Sequence, residues 1–251
     1  MYDEFVYERV SFGGYRSPVL AGHLHLPFRE EFTPPYPTVV VCHGLGSRKE
    51  RHAKFAEFLS QRGFAALVLD LRGHGESQGE LDGHEVDDFA AAVDYLSRRP
   101  EIDLDRLAVR GSSLGGHYAI QAGAALPAFR AVVAVCPATG AGLWAALMEQ
   151  GAPGVIESDG LYARLKVPEY LDYLQRCDVF DAAARISPRA LFLIHARGDE
   201  TIPYQVSEEL YARAGDPKRL LLLDGGSHTS AQHDEVVHME VVEWLRLHFG
   251  M

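Results

Sequence analysis

Asparagine does not occur anywhere in these 251 residues, and lysine is scarce beside arginine. Loss of a heat-labile amide accords with a warm habitat, but a GC-rich genome produces the same bias and is the simpler reading. Cysteine is rare too. Cys42, Cys136 and Cys177 lie far apart, which argues against a disulfide framework and suits buried free thiols in a reducing cytoplasm. No apolar run reaches the length of a membrane span, and Met1-Tyr2-Asp3-Glu4 is not a basic stretch leading into an apolar one. Neither a spanning helix nor an export signal is therefore expected. Positive charge is short as well: a formal balance of −11 argues against nucleic acid or an anionic membrane as the partner. Internal repeats and low-complexity segments are missing. What remains, 47% hydrophobic and 24% charged residues, is an ordinary globular composition with enough chain for a sizeable core.

The most informative stretch runs from Leu107 to Ala119. A short apolar run ends in Gly111-Ser112-Ser113-Leu114-Gly115, and a small-residue helix pattern follows at once. That reads as a strand that stops, turns sharply and becomes a helix, with Ser113 at the apex. Glycines at 111 and 115 remove side chains that would collide where strand and helix approach. Ser113 also sits at a helix N-terminus, where free N–H groups and the dipole favour developing negative charge. An ordinary Gly/Ser-rich turn matches the same pattern, so the surrounding chain has to decide.

Along the chain, residues 4–12 and 18–27 read as two strands of an antiparallel hairpin at a sheet edge. His23 and His25 fall on one face of the second. No acidic or cysteine partner lies nearby in sequence, so they are expected to face solvent and not to ligate a metal. Residues 38–42 form a β-branched run without polar alternation, as in a strand buried on both faces. It ends in His43-Gly44-Leu45-Gly46, a turn able to aim backbone N–H groups into a crevice. A helix is predicted over 49–62, a strand over 64–70, a helix over 86–99 and a strand over 132–136. Residues 137–188 break the rhythm. They hold no convincing strand, only short helix-like pieces carrying Trp144, Tyr162, Tyr170 and Tyr173, and are expected to form a cap. Strand–helix alternation resumes over 190–195, 204–214, 219–223 and 235–249. Such repetition specifies a mostly parallel sheet with helices on both faces.

A serine nucleophile needs a base, and the base needs an orienting acid. Asp199 follows one buried strand and His228 follows the last, so both stand at strand C-terminal ends. In a parallel sheet those ends share one side, and Ser113, Asp199 and His228 can converge there. Ser112 is the neighbouring candidate, but only Ser113 is central between the two glycines. Asp224 is the rival acid, set close before His228 and inside the strand end, and Asp199 is preferred. His43 could be a second base or a shaper of its own loop. His74 reads as structural, and His117 could line the site or pack beside it. His195 ends its strand near the acid loop. Trp144, Tyr162 and Tyr170 could bind an aromatic or acyl group, or simply pack the 137–188 segment onto the body.

Five motifs in order carry a resemblance. They are His43-Gly44-Leu45-Gly46, the Asp70–Ser77 run Asp-Leu-Arg-Gly-His-Gly-Glu-Ser, Gly111-Ser112-Ser113-Leu114-Gly115, Gly198-Asp199 before Ile202-Pro203, and Gly226-Ser227-His228. On these the chain resembles the α/β-hydrolases over nearly its full length. Within them it is similar to small carboxylesterases such as the feruloyl (cinnamoyl) esterases, which carry a single helical insertion. The resemblance implies an α/β-hydrolase core from residues 1–136 and 189–251, with 137–188 as a lid. It implies Ser113 as nucleophile, His228 as base and then acid, and Asp199 holding the imidazole tautomer. The backbone N–H groups of Leu45 and Leu114 would form the oxyanion hole, where losing one donor costs about 3 kcal/mol. Implied with these are a small-molecule ester substrate, an acyl-enzyme, no cofactor and no metal; self-association into a homodimer stays open. Thioesterase, prolyl- or aminopeptidase-like and C–C hydrolase chemistry share the same machinery, and a non-catalytic ligand binder shares the same fold.

Overall fold

A computed structural model describes residues 7–158 and 160–251. Tyr7–Phe12 (β1) and Leu20–His25 (β2) pair antiparallel, as the hairpin pattern predicts, with residues 4–6 of the predicted strand lying outside the described residues. Next come Tyr36–Cys42 (β3), Ala53–Ser60 (α1, preceded by a 3-10 turn at Lys49–His52), Ala65–Leu69 (β4), Val86–Ser97 (α2) and Ile102–Ser112 (β5). The chain continues through Leu114–Ala125 (α3), Phe129–Val135 (β6), Gly140–Glu149 (α4), Val155–Ser158 (β7), Leu161–Arg164 (β8), Val167–Arg176 (α5) and Val179–Ala184 (α6). Ala190–Ala196 (β9), Gln205–Arg213 (α7), Lys218–Leu223 (β10) and Glu235–Phe249 (α8) complete it.

Eight strands form one sheet in the order β1-β2-β4-β3-β5-β6-β9-β10. β2 meets β4 antiparallel, and every pairing from β4 to β10 is parallel. The continuous apolar runs in β3, β4 and β6 follow from burial on both faces. Val39 and Val41 pack with Phe55 and Leu59 of α1 and Val241 and Leu245 of α8. Val40 faces the other way, in the cluster that holds Phe89 of α2, Tyr118 of α3 and Leu210 of α7. Each such side chain, fully buried, contributes roughly 1.5–3 kcal/mol.

Two expectations change. His23 and His25 are 3% and 2% exposed, because the Tyr7 ring on β1 covers both, with centroids 4.1 and 5.2 Å away. Residues 137–188 do contain strands: β7 and β8 pair antiparallel from Val155↔Arg164 to Ser158↔Leu161. Tyr162 therefore lies on a strand and not on a helical piece. These strands are too short to announce themselves, and their anchorage is tertiary, through bridges of His74 to Ala163 and Leu81 to Leu165. No helix among the described residues is long and apolar enough to cross a membrane.

Candidate active site

Ser113 separates β5 from α3 with φ 55° and ψ −119°, a conformation in which a side chain is strained. Its backbone is held from three sides: Ser113 N–H donates to Val135 O at 2.9 Å, and Ser113 O accepts from His117 and Ala138 at 3.0 and 3.1 Å. Glycine is required on both flanks. A Cβ on Gly111 would stand 2.0 Å from the Gly115 carbonyl oxygen, and one on Gly115 would stand 2.5 Å from that of His43.

The 43–46 loop lies against this elbow, with the Gly44 Cβ position 3.2 Å from Ser113 Cβ. Two buried histidines hold the loop. His43 donates from Nδ1 to Gly44 O at 2.7 Å and accepts the Leu71 N–H on Nε2 at 3.2 Å. His74 donates from Nδ1 to Arg72 O at 3.1 Å and accepts the Gly46 N–H on Nε2 at 3.2 Å. A carbonyl on one nitrogen and an N–H on the other set each tautomer. Burial pushes His43 down to about 4 and His74 to about 3, so both rings are neutral near pH 7. The N–H groups of Leu45 and Leu114 donate to no described group.

Asp199 follows β9 on a turn. Its Oδ1 accepts the N–H groups of Thr201 and Ile202, both at 2.8 Å, while Oδ2 accepts His228 Nδ1–H at 2.7 Å. Burial alone would raise this carboxyl. The Ile202 N–H, the His228 ring and the Thr201 N–H outweigh it and hold Asp199 below its ordinary value. With Nδ1 protonated against a carboxylate, His228 keeps a lone pair on Nε2. His195 adds a second ring: its Nε2 lies 3.2 Å from Asp199 Oδ2 and 3.0 Å from Ile202 O, both acceptors, so that nitrogen carries the proton. Its Nδ1 then accepts from Ser207 Oγ at 2.7 Å. Asp224 is exposed and pairs with Arg197 at 3.5 Å, away from this relay.

Ser113 and His228 line one cleft of about 320 Å³, together with Leu45 and Ser112. No hydrogen bond joins Ser113 Oγ to the His228 ring in this conformation, and such contacts commonly tighten only when substrate is bound. The rest of the predicted pocket does not assemble here. His43, His117 and Tyr170 are fully buried and outside the lining. His117 bonds to Ala138 O at 3.3 Å and Tyr173 Oη at 3.1 Å, and Tyr170 meets Tyr118 hydroxyl to hydroxyl at 2.9 Å. These rings tie α5 onto α3. Trp144 is half-buried against the core. Tyr162 lines a neighbouring cleft that shares only Ser47 and Leu161 with the first.

Other residues at the site carry little signal in the sequence. Gln232 accepts from Ser112 Oγ at 2.6 Å through its side chain and from Arg110 at 3.1 Å through its carbonyl, clamping the His228 loop to β5. Arg110 is a fully buried guanidinium beside His52 Nδ1 at 3.0 Å and over the Phe55 ring at 4.7 Å. Burial pushes it down to about 10. A charge in the apolar, buried second half of β5 is the one hint the sequence offers of it. Arg51 also lines the cleft. Two groups have metal-like spacing among the described residues. In one, Asp199 already accepts from two rings. In the other, His23, Glu50 and Glu76 gather round the Lys49 ammonium, 2.7 Å from Glu76 and 3.1 Å from Glu50, so a cation already stands there.

Comparison with known proteins places the chain in a family and the fold among known ones. The family model described as serine aminopeptidase, S33, matches residues 33–158, which include Ser113 and end before Asp199 and His228. The uncharacterized protein YfhR of Escherichia coli O157:H7 is 30% identical over 214 residues, covering 83% of this chain and 69% of that protein. The putative esterase YitV of Bacillus subtilis is 24% identical over 241 residues, covering 88% and 92%. Among solved structures, the α/β hydrolase GrgF from Penicillium has a TM-score of 0.82 at 18% identity, over 98% of this chain and all 100% of that one. Est1E from Butyrivibrio proteoclasticus, with ferulic acid bound, has a TM-score of 0.77 at 21% identity, over 96% and 100%. At such identities the likeness to these structures is one of fold: an α/β-hydrolase sheet with helices on both faces.

Proposed function

The chain belongs to the family described as serine aminopeptidase, S33, and from that premise we propose a serine hydrolase that cleaves carboxylic esters through an acyl-enzyme. One observation carries the reading: His228, bonded through Nδ1 to the buried Asp199 at 2.7 Å, lines a cleft that Ser113 also lines. Ser113 Oγ attacks the ester carbonyl while His228 Nε2 takes the hydroxyl proton. The carbonyl oxygen becomes an oxyanion, met by the N–H groups of Leu45 and Leu114. Collapse breaks the C–O bond, and the departing alkoxide takes the proton from Nε2. Water then repeats the cycle on the acyl-enzyme, releasing the acid and restoring Ser113. Asp199 holds the tautomer throughout. Residues 137–188 act as a cap, tied down through Tyr170 and Tyr173, and the three free cysteines suit a cytoplasmic setting.

The family's description raises a second reading, aminopeptidase action. A substrate's terminal ammonium needs an anion to hold it, and none of the described residues lining the cleft is acidic. That favours the ester. The test is a burst of p-nitrophenol from p-nitrophenyl acetate, measured beside aminoacyl p-nitroanilides. Burst and turnover with the ester, and labelling of Ser113 by a fluorophosphonate, are the expected results. Turnover of anilides alone would transfer the assignment to peptidase chemistry, and an unlabelled Ser113 in folded protein would remove it.

A further inference from the structure

Resting on the serine-hydrolase reading, we propose that the natural substrate is an anionic ester whose carboxylate is gripped by Arg51 while its carbonyl sits at Ser113. The lining of the catalytic cleft is unusual for this chain. The whole protein carries a net −11, yet the described residues that line the cleft include no carboxylate, Asp199 lying buried behind His228, and one full cation, Arg51. Arg48, Lys49 and Arg51 stand round Glu50 beside the 43–46 loop, and two of the three are spoken for. Arg48 pairs with Glu50 at 3.4 Å, and Lys49 is locked by Asp70 and Glu76 at 2.8 and 2.7 Å. Arg51 makes no ion pair and no side-chain hydrogen bond among the described residues, although it shares the cleft with Ser113 and His228. A guanidinium fork offers paired donors to a carboxylate. A cation in a cleft of an otherwise acidic protein also draws anions toward that one place.

The remaining walls agree. Only Leu45 and Leu161 are apolar among the described lining residues; Ser47, Thr229 and Gln232 are polar, and no Phe, Tyr or Trp takes part. A long acyl chain or a hydroxycinnamoyl ring would find little apolar surface to bury, and burial is what binds such groups. His233 does not compete for the anion, because burial, Arg110 and Arg51 hold its ring on the neutral side.

Two measurements test this, one with chemistry and one without. Wild type and Arg51→Gln are assayed on p-nitrophenyl hemisuccinate, p-nitrophenyl butyrate and 3-carboxy-4-nitrophenyl butyrate, which place the carboxylate on the acyl side, nowhere, or on the leaving-group side. One anionic ester should exceed butyrate in kcat/KM. Arg51→Gln should cut that preference about five-fold, the scale of one exposed ion pair, and 0.5 M salt should shrink it in wild type. Separately, glutarate is titrated by calorimetry into unmodified wild type and Arg51→Gln, where Arg51-dependent binding is expected. An unchanged ester preference together with glutarate heats indifferent to Arg51 would overturn the proposal. If no ester turns over but glutarate binds through Arg51, the ester reading fails and the anion subsite stands. If butyrate is hydrolysed with no Arg51-dependent preference or binding, the reverse holds.

Discussion

Ser113 keeps a positive φ because its N–H and C=O are each bonded to a neighbouring element, and the strain pushes the hydroxyl out of the turn. Removing that oxygen in Ser113→Ala should lower kcat at least about 10⁴-fold with an unchanged circular-dichroism spectrum. Asp199 carries a subtler load. Its Oδ2 faces His228 Nδ1 and His195 Nε2 together, so it must present an acceptor to both. In Asp199→Asn an amide NH₂ turned toward His228 would favour the tautomer with the proton on Nε2, the wrong nitrogen for a base. We expect a loss of about 10⁴ in kcat with little change in melting temperature. A fall of under ten-fold would remove Asp199 from the relay.

The elbow and the 43–46 loop work as one unit, since β5, α3 and that loop meet with no room between their backbones. Gly115→Ala would drive a Cβ to 2.5 Å from His43 O and 2.7 Å from Cys42 O. Both atoms are backbone, so something must move. The expected result is a loss of about 2–3 kcal/mol in stability, read by urea denaturation, with activity falling further than stability explains because Leu45 shifts too. The α3–α5 contact is separate from this unit. Tyr170→Phe deletes one end of the buried hydroxyl pair with Tyr118 and should cost about 1–2 kcal/mol, leaving the proposed hydrolytic turnover within a few-fold of wild type.

Across the molecule, buried titratable groups pull stability in opposite directions with pH. Burial holds His43 and His117 at about 4 and His74 at about 3, against an ordinary 6.5. Below pH 6.5 the unfolded chain binds protons that these folded rings refuse, so stability present above that pH drains away as pH falls toward 4. Glu85 opposes them. It is fully buried with one carboxyl oxygen unpartnered, and burial pushes it up to about 7 from 4.5. It therefore subtracts stability as pH rises through that window. His43, His117 and Glu85 are each worth roughly 3 kcal/mol and His74 roughly 5 kcal/mol, and three rings outweigh one carboxyl. The melting temperature should drop steeply below pH 6.5. Glu85→Gln should raise it by several degrees at pH 8 and by less at pH 5.5; an equal gain at both would show that ionisation is not the cause.

Much of this was legible in the linear chain because its causes are local. The apolar runs of β3, β4 and β6 reflect burial on both faces, and the glycines at 111 and 115 reflect a turn too tight for side chains. Parallel strands present their C-terminal ends together, which brings Ser113 and His228 to one cleft and Asp199 to His228. Other features depend on neighbours that no local pattern encodes. His23 and His25 are buried because Tyr7 folds across them, and β7 and β8 form where the 71–81 loop offers edges to pair with. Tyr170 and Tyr173 turn inward to α3 because Tyr118 and His117 give their hydroxyls partners. The cleft is left polar, with Arg51 in its wall as a cation unpaired among the described residues, and that arrangement exists only once loops distant in sequence are packed side by side.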